Sequence, residues 1–231
     1  MQRERLEELL NRLKDIRIAV VGDFFLDRYF MIDSSLNEKS LETDLIAYQV
    51  TEKRLFPGAA GTVTNNLAAL GVGKIYAVGV IGSDGEGFEL TRELNNRGVD
   101  TSYLVQDERI FTPTYTKPVI KSEMRELSRL DIRNRAQMPM RLQEAAMQNA
   151  RRIMDDVDAL IILDQVVEDN QGIITQNMRE AFSAMGVLSD KIIYADSRAH
   201  LDKFSNIILK CNNLEAAQIA GTKPELAWDP D

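Results

Sequence analysis

The sequence predicts an α/β fold: a doubly wound, mostly parallel sheet with helices on both faces, plus a small β lid. Short apolar runs rich in β-branched residues alternate with segments whose apolar residues recur at the helical period, which is the pattern of parallel strands joined by crossover helices. Two stretches rich in Thr, Tyr, Val and Ile break this alternation and predict strands outside the main sheet. The 231 residues are enough for one large domain of this kind.

Five short runs that are apolar on both faces are the predicted strands of the main sheet. They are Arg17 to Val21, Lys74 to Val80, Ala159 to Leu163, Lys191 to Ala195 and Asn206 to Leu209. Helical periodicity predicts helices over Pro139 to Asp156 and Gly172 to Met185. The capping-box pair Ser83 and Glu86 predicts the start of a further helix over Gly87 to Asn96. The lid strands are expected within about 33–55 and 109–121.

Composition excludes several classes of protein. The net charge of −8 argues against nucleic acid as a partner, because phosphate binding needs a clustered basic surface. One cysteine, Cys211, and one histidine, His200, exclude an intramolecular disulfide and a Cys/His zinc site. Residues 1–17 predict a charged amphipathic helix rather than a signal peptide, and no apolar run approaches the ~20 residues of a membrane span. We therefore expect a soluble, cytoplasmic protein without a membrane partner.

Polar side chains follow the predicted strands at their carboxyl ends, where open α/β sheets bind ligands. They are Asp23 and Asp27 in GDFFLD, Asp164 in DQVVED, Asp196 in ADSR, and Lys210, Asn212 and Glu215 in KCNNLE. Such a rim suits hydroxyl groups or a hydrated metal. Purely structural roles are also open for three of these residues. Asp23 suits a turn or helix cap equally well, and Asn212 and Glu215 have the spacing of a capping box.

The stretch FPGAAGTVTNNLAALG, residues 56–71, is a glycine-rich turn that leads into a predicted helix. Bare backbone at a helix N-terminus suits an anion or the close approach of a small ligand. The stretch lacks the Gly-Lys-Ser/Thr ending of a Walker A loop and the G-x-G-x-x-G dinucleotide fingerprint. It therefore indicates a ligand-facing turn without naming the ligand.

The order of these pieces, together with GVIGSDGEG, TPTYTK and SRLD, resembles the ribokinase-like (PfkB) family of carbohydrate kinases over about residues 16–221. The branch that includes bacterial heptose-phosphate kinases is the most similar. The resemblance implies transfer of the γ-phosphate of ATP to a hydroxyl of a sugar or sugar phosphate, with Mg²⁺ as cofactor. It also implies a homodimer formed through the β lid.

The resemblance also implies roles for individual residues. Asp27 corresponds to the carboxylate that accepts hydrogen bonds from sugar hydroxyls, and Asp164 is expected near the far side of the sugar. The other residues implied in substrate binding are Gly58, Ala59 and Thr62 in the glycine-rich turn and Lys117 in the lid. Asn212 and Glu215 match the family's Asn-x-x-Glu element, which organises Mg²⁺ near the ATP phosphates, with Glu215 toward the metal. Lys210 would add a positive charge there.

Three departures from the family pattern carry consequences. Ala59 stands where the family commonly has a second glycine, and Thr62 stands where it commonly has a sugar-contacting asparagine. The family's Gly-Ala-Gly-Asp element, which supplies the general base, would follow Gly221, and the sequence to Asp231 does not contain it. The chain is therefore expected to be a single, C-terminally incomplete domain without a catalytic residue of its own. The alternative is a non-catalytic sugar-binding or scaffold protein derived from the kinase family.

Overall fold

A computed structural model describes residues 3–222 of the chain. The strands are β1 (Arg17–Gly22), β2 (Phe24–Ile32), β3 (Glu38–Lys39), β4 (Ile46–Ala47), β5 (Val50–Ala59), β6 (Lys74–Gly82), β7 (Val99–Asp107), β8 (Thr114–Ile120), β9 (Arg125–Glu126), β10 (Leu130–Ile132), β11 (Ala159–Asp164), β12 (Ile192–Ser197) and β13 (Ile208–Lys210). The helices are α1 (Arg3–Leu13), α2 (Ala60–Ala69), α3 (Gly85–Asn95), α4 (Met140–Met154), α5 (Gln176–Leu188) and α6 (Asn213–Ile219).

The main sheet has six strands in the order β13-β12-β11-β1-β6-β7, and every neighbouring pair is parallel. Helices cover both faces. Helices α4 and α5 pack on one face through residues such as Ala146 and Phe182, whereas α2 and α3 pack on the other through Ala60 and Leu90. Ile162 and Val20, on neighbouring strands, lie on opposite faces and are fully buried. This confirms the predicted doubly wound α/β fold.

A second sheet runs in the order β10-β8-β2-β5, with β9 paired to β8, and β3 and β4 form a separate two-stranded ribbon. Strand β2 follows β1 after a single residue, Asp23, so one continuous segment serves both sheets. Beneath the second sheet, Arg28 of β2 contacts Glu86 at 3.0 Å and Glu89 at 3.5 Å on helix α3. The three side chains are mostly buried, so this ion cluster fixes the second sheet to the main domain.

The five predicted core strands are confirmed as β1, β6, β11, β12 and β13, with ends that differ by a few residues. Two local predictions were wrong. Asp27 lies within strand β2 and not in a loop, and β2 itself was not predicted. Helix α3 is capped by Asp84, whose Oδ1 accepts a hydrogen bond from the backbone N–H of Gly87 at 2.7 Å, and not by Ser83.

Two further predicted boundaries differ from the structure. Helix α5 begins at Gln176 rather than at Gly172, because residues 165–175 form a loop that ends at the helix cap Thr175. Of the predicted lid stretch 33–55, only residues from Val50 onward belong to the second sheet, and residues 109–113 precede β8 without strand structure. Among the described residues, no helix has the length and apolar character needed to cross a bilayer.

Candidate active site

The predicted sugar-facing residues Asp27, Gly58 and Lys117 come together on one face of the second sheet. Side chains opposite one another in neighbouring strands share a face, and the register places Phe25 opposite Gly58 and Tyr29 opposite Lys117. The Asp27 carboxylate lies over the backbone of Gly58, where a Cβ would overlap Oδ2. Glycine is therefore required at position 58 by the position of the Asp27 side chain.

Lys117 is the cationic partner of Asp27. Its Nζ lies 3.6 Å from Asp27 Oδ1 and donates a hydrogen bond to the Tyr29 hydroxyl at 3.1 Å. Burial alone would lower the pKa of Lys117, but the bond to Tyr29 and the negative charge of Asp27 raise it above its usual value. Lys117 is thus held in its charged form, and both charged groups remain about one quarter exposed at 20% and 27%.

A cleft with about 670 Å³ of free space adjoins this face at the carboxyl ends of the main-sheet strands. The lining residues come from both sheets and from the loop over residues 165–173, and two of them are arginines. They include Phe25, Tyr115, Arg133, Arg198, Glu168 and Gly172. The rings of Phe25 and Tyr115 meet edge to face at 5.5 Å. Phe25 is also a neighbour of Gly58, so it joins the Asp27 group to the cleft.

Arg133 gives the cleft its main cationic feature. Its guanidinium lies 5.3 Å from the centroid of the Tyr115 ring and donates a hydrogen bond to the Tyr115 hydroxyl at 2.9 Å. Its nearest carboxylates are those of Asp131 at 3.5 Å and Glu168 at 3.7 Å, and its buried Nε–H has no hydrogen-bond partner within residues 3–222. Arg133 is one of two arginines that line the cleft, and guanidinium groups suit anionic ligands.

Asp23 closes the base of the cleft and holds the 165–173 loop. Its Oδ2 accepts hydrogen bonds from the backbone N–H groups of Gln165 at 2.9 Å and Val166 at 3.2 Å, and its Oδ1 accepts one from Ile173 at 2.9 Å. Burial and, to a smaller extent, the negative charge of Asp164 raise the pKa of Asp23 to about 6, although the three hydrogen bonds from the loop act to lower it. The turn role that the sequence left open for Asp23 is therefore the one the structure shows.

Asp164 lies beneath the cleft and is only 1% exposed. Its Oδ2 accepts hydrogen bonds from Ser197 Oγ at 2.9 Å and Arg179 at 3.1 Å, and His200 Nδ1 is 3.4 Å away. Burial raises the pKa of Asp164, while the bond from Ser197 and the charge of Arg179 act in the opposite direction. All three of these contacts are made by Oδ2, and the implied contact between Asp164 and a sugar stays a prediction.

The glycine-rich turn passes from β5 into α2 beside Asp27. Ala59 adopts φ 52° and ψ −117°, a conformation that favours glycine, so the methyl group that distinguishes this chain from the family pattern lies at a strained position. Thr62 is exposed in the first turn of α2. Asn65, one turn further along, donates to the Pro57 carbonyl at 3.3 Å, and its buried Oδ1 has no partner among the described residues.

Of the residues implied in nucleotide binding, Glu215 lines a second groove, and Lys210 and Asn212 precede it in the chain. Asn212 and Glu215 form a reciprocal capping box: the Asn212 N–H donates to Glu215 Oε2 at 2.8 Å, and the Glu215 N–H donates to Asn212 Oδ1 at 2.9 Å. Lys210 Nζ lies 3.1 Å from Asp196 Oδ2, and this bond raises the pKa of Lys210. A groove with about 1100 Å³ of free space runs past Glu215, Arg198 and Lys203.

These residues fit a hydrated Mg²⁺ and not a dedicated metal cage. No group of three or more His, Cys, Asp or Glu side chains converges on one point within the described ranges. Mg²⁺ in phosphoryl-transfer sites keeps several waters and uses one or two carboxylates together with substrate phosphates. Glu215 offers one carboxylate at the groove, and its remaining oxygen is compatible with that role.

Phe25, Tyr115 and Arg133 are among the cleft residues that were not predicted. The alternation of Phe25, Asp27 and Tyr29 along β2 was the signal for the first of them, because residues two apart in a strand share a face. Tyr115 and Arg133 become neighbours only through the pairing of β8 with β10, 18 positions apart in the chain. Nothing in the local sequence indicates that contact.

Comparison with known proteins gives a consistent result. Residues 17–229 match a family model described as pfkB family carbohydrate kinase. The chain is 27% identical over 186 residues to the Bifunctional protein HldE of Geotalea uraniireducens, covering 80% of this chain and 36% of that protein. It is 33% identical over 148 residues to the HldE of Shewanella amazonensis, covering 64% and 29%.

Solved structures share the fold. A ribokinase from Cryptococcus neoformans in complex with ADP superposes with a TM-score of 0.57 at 15% identity, covering 93% of this chain and 64% of that one. Arabidopsis thaliana ribokinase complexed with ribose and ATP gives a TM-score of 0.55 at 18% identity, covering 92% and 65%. The chain thus spans less than two thirds of the length of these proteins and about a third of the length of the HldE proteins.

Proposed function

The chain belongs to the PfkB family of carbohydrate kinases, and on that premise we propose that it binds a sugar phosphate for transfer of the γ-phosphoryl group of ATP to one of its hydroxyls. The observation that carries the proposal is the position of Asp27. Its carboxylate lies over the bare backbone of Gly58, beside Lys117 and next to a cleft of about 670 Å³. A carboxylate and an ammonium group side by side can accept from and donate to neighbouring sugar hydroxyls.

The charges in the cleft favour a phosphorylated sugar over a neutral one. The guanidinium groups of Arg133 and Arg198 both line the cleft. Arginine presents paired donors that match the oxygens of a phosphate. The similarity to the heptose-phosphate kinase branch makes a heptose phosphate the first substrate to test.

We place ATP in the groove that passes Glu215, Arg198 and Lys203. Phosphoryl transfer depends mainly on positioning and on neutralising charge, which Mg²⁺ supplies when bound. Glu215 would hold the waters of that ion, and Lys210 would add positive charge nearby. The Asp27 group would orient the acceptor hydroxyl, and the aromatic pair Phe25 and Tyr115 would exclude water from one side of the sugar. The general base that the family resemblance places after Gly221 lies outside the described residues.

The second sheet would serve as the lid over the sugar and as the interface of a homodimer. The segment over residues 36–50, which includes the β3–β4 ribbon and leads into β5 of this sheet, carries exposed apolar side chains: Leu36, Leu41, Leu45, Ile46, Tyr48 and Val50. Contiguous exposed apolar side chains mark interaction surfaces in proteins of this size. A reaction that consumes ATP is expected in the cytoplasm.

A second function is favoured by one observation. Ala59 holds a strained conformation at the place where the family commonly has glycine, directly after Gly58. A chain that binds a sugar without phosphorylating it would tolerate such a change. Both functions predict sugar binding, and only the first predicts sugar-dependent consumption of ATP.

Isothermal titration of the full chain against heptoses, hexoses and their phosphate monoesters tests the proposal. We expect one phosphate ester to bind at least tenfold more tightly than its parent sugar, and Arg133→Gln to abolish that preference. Asp27→Asn should weaken binding about tenfold or more, because a hydrogen bond to a charged group contributes about 1.5–3 kcal/mol. Asp156→Asn, which changes an exposed carboxylate after helix α4, is the matched control. Equal binding by Asp27→Asn and the wild-type chain would remove Asp27 from the site.

A further inference from the structure

The 165–173 loop is one wall of the cleft, yet it contains no helix or strand to hold its shape. The Asp23 carboxylate supplies the missing hydrogen-bond acceptors, since both of its oxygens are used by backbone N–H groups at the two ends of the loop. The fit is close: a Cβ on Gly172 would lie 2.8 Å from Asp23 Oδ1. The Asp23 side chain therefore holds both ends of the loop close together at the ends of the strands.

The same loop reaches across the cleft to its cationic wall. Glu168, near the middle of the loop, places Oε1 at 3.7 Å from Arg133 and at 3.9 Å from Arg135. Arg133 in turn donates to the Tyr115 hydroxyl. A chain of contacts therefore runs from Asp23 through the loop to the guanidinium that faces the cleft.

We propose that Asp23 is a positioning residue of this cleft: its carboxylate fixes the 165–173 loop and, through Glu168, sets where the Arg133 guanidinium lies. Asp23 does not itself contact the substrate in this role. The proposal rests on the proposed function only in calling the cleft a substrate site. The contacts themselves are tested without any ligand.

Protonation of Asp23 is the natural perturbation of this arrangement. A neutral carboxyl accepts weaker hydrogen bonds than a carboxylate, and its own proton would face the N–H donors at Oδ2. Because burial raises the pKa of Asp23 to about 6, this change falls in an accessible pH range. The charged groups around Asp23 are Asp164 below it, with Arg179 and His200 beyond Asp164, and Arg133, Arg198 and Glu168 around the cleft. His200 also contacts Asp169 of the loop at 2.9 Å.

Nuclear magnetic resonance of the full chain between pH 4.5 and 8 tests the proposal. We expect the amide resonances of Gln165, Val166 and Ile173 and the Asp23 side-chain carboxyl resonance to share one midpoint near pH 6. The Arg133 Nε–H resonance should move with the same midpoint. Midpoints that differ between the Asp23 carboxyl and the three amides, or an Arg133 resonance that does not move, would overturn the proposal.

Three variants separate the steps. Asp23→Asn should abolish the common midpoint, whereas Glu168→Gln should keep it at the three amides and reduce the movement of Arg133 at least twofold. His200→Gln removes the one histidine near the loop and should leave the midpoint in place; its loss would assign the transition to His200. If Asp23→Asn fails to fold, the wild-type carboxyl titration still decides whether Asp23 and the loop titrate together. Since no sugar is present, failure here is independent of failure of the proposed function.

Discussion

The Asp27 carboxylate and the Gly58 backbone occupy adjoining space on the second sheet, with no room between them for a side chain at position 58. The contact joins two strands, β2 and β5, that run antiparallel with Asp27 opposite Phe56 and Phe25 opposite Gly58. Position 58 must therefore be glycine because the Asp27 carboxylate occupies the space of a Cβ. The carboxylate in turn can lie there only because Gly58 has no Cβ. The Asp27 side chain and the glycine-rich turn act as one unit.

Gly58→Ala is expected to displace the Asp27 side chain. Overpacking of this kind costs about 1–3 kcal/mol in the free energy of unfolding, and sugar affinity should fall about tenfold or more because the carboxylate moves. Chemical denaturation and calorimetric titration measure the two effects. Gly85→Ala is the matched control, since a Cβ there meets nothing within 4 Å. Unchanged binding by Gly58→Ala would show that the position of Asp27 does not depend on Gly58.

Ala59→Gly is expected to stabilise the protein by about 1 kcal/mol. The positive φ of Ala59 is a strained conformation for any residue with a side chain, and glycine relieves that strain. Thermal or chemical unfolding measures the gain. Ala60→Gly, at the first residue of helix α2, should instead destabilise by about 1 kcal/mol, since it removes a fully buried methyl group. Destabilisation by both variants would contradict the strain at Ala59.

Asp23 gives the free energy of unfolding a definite pH dependence. Its folded pKa of about 6 lies above the ordinary value of 3.8, so between these values the folded chain binds a proton that the unfolded chain has lost. Stability from this group is therefore present at low pH and falls as pH rises toward 6, by on the order of 3 kcal/mol in total. The measurement is the difference in unfolding free energy between wild type and Asp23→Asn. It should decrease from pH 4 to 6 and stay constant above pH 7, and a difference that increases with pH would refute the assignment.

Glu215→Gln separates the capping role of Glu215 from its proposed role toward Mg²⁺. Glutamine can still accept from the Asn212 N–H, so helix α6 should keep its amide protection, while Mg²⁺-dependent binding of ADP should weaken about tenfold. Glu215→Ala should lose both the helix cap and the metal-dependent binding. Hydrogen exchange of residues 213–219 and titration of ADP with and without Mg²⁺ are the measurements. Identical nucleotide binding by Glu215→Gln and wild type would leave Glu215 with the capping role alone.

Ile46→Lys is expected to weaken a homodimer formed through the second sheet. Ile46 lies in the β3–β4 ribbon, among the exposed apolar side chains of residues 36–50 that lead into that sheet, and a charge buried there without a partner would be costly. Sedimentation velocity across a range of protein concentrations should show a dimer dissociation constant at least tenfold higher. Leu188→Lys changes an exposed leucine at the end of helix α5 and serves as control. A monomeric wild-type chain, or equal effects of both variants, would argue against this interface.

Five of the six main-sheet strands could be predicted because they are short apolar runs between helical segments, a pattern that depends only on local sequence. The edge strand β7 was not predicted, because Asp100, Thr101 and Ser102 interrupt its apolar residues. Strand β2 could not be predicted, because Asp27 and Arg28 lie at its centre and look like part of a loop. Arg28 is acceptable there only because Glu86 and Glu89 reach it from helix α3. Partners so far away in the chain leave no trace in the local sequence.

The candidate site, like the fold, could be predicted only in part from the sequence. The Asp27, Gly58 and Lys117 group came from the family resemblance, and the structure brings the three residues together. The start of α5 was misplaced because Ile173 and Ile174 fit the helical period, although both are buried within the loop that Asp23 holds. Whether Asp164 meets a sugar depends on the side chains that surround it, Arg179 and Ser197, which only the fold assembles.

Asp23 joins three segments through three different groups. Its N–H donates to the Leu163 carbonyl, its own carbonyl accepts from the Ala60 N–H, and its side chain holds residues 165, 166 and 173. It is also the single residue between strand β1 of the main sheet and strand β2 of the second sheet. A tilt of the second sheet about Asp23 would therefore be transmitted to the 165–173 loop. The second sheet and the loop would then move together over a bound molecule, and not independently.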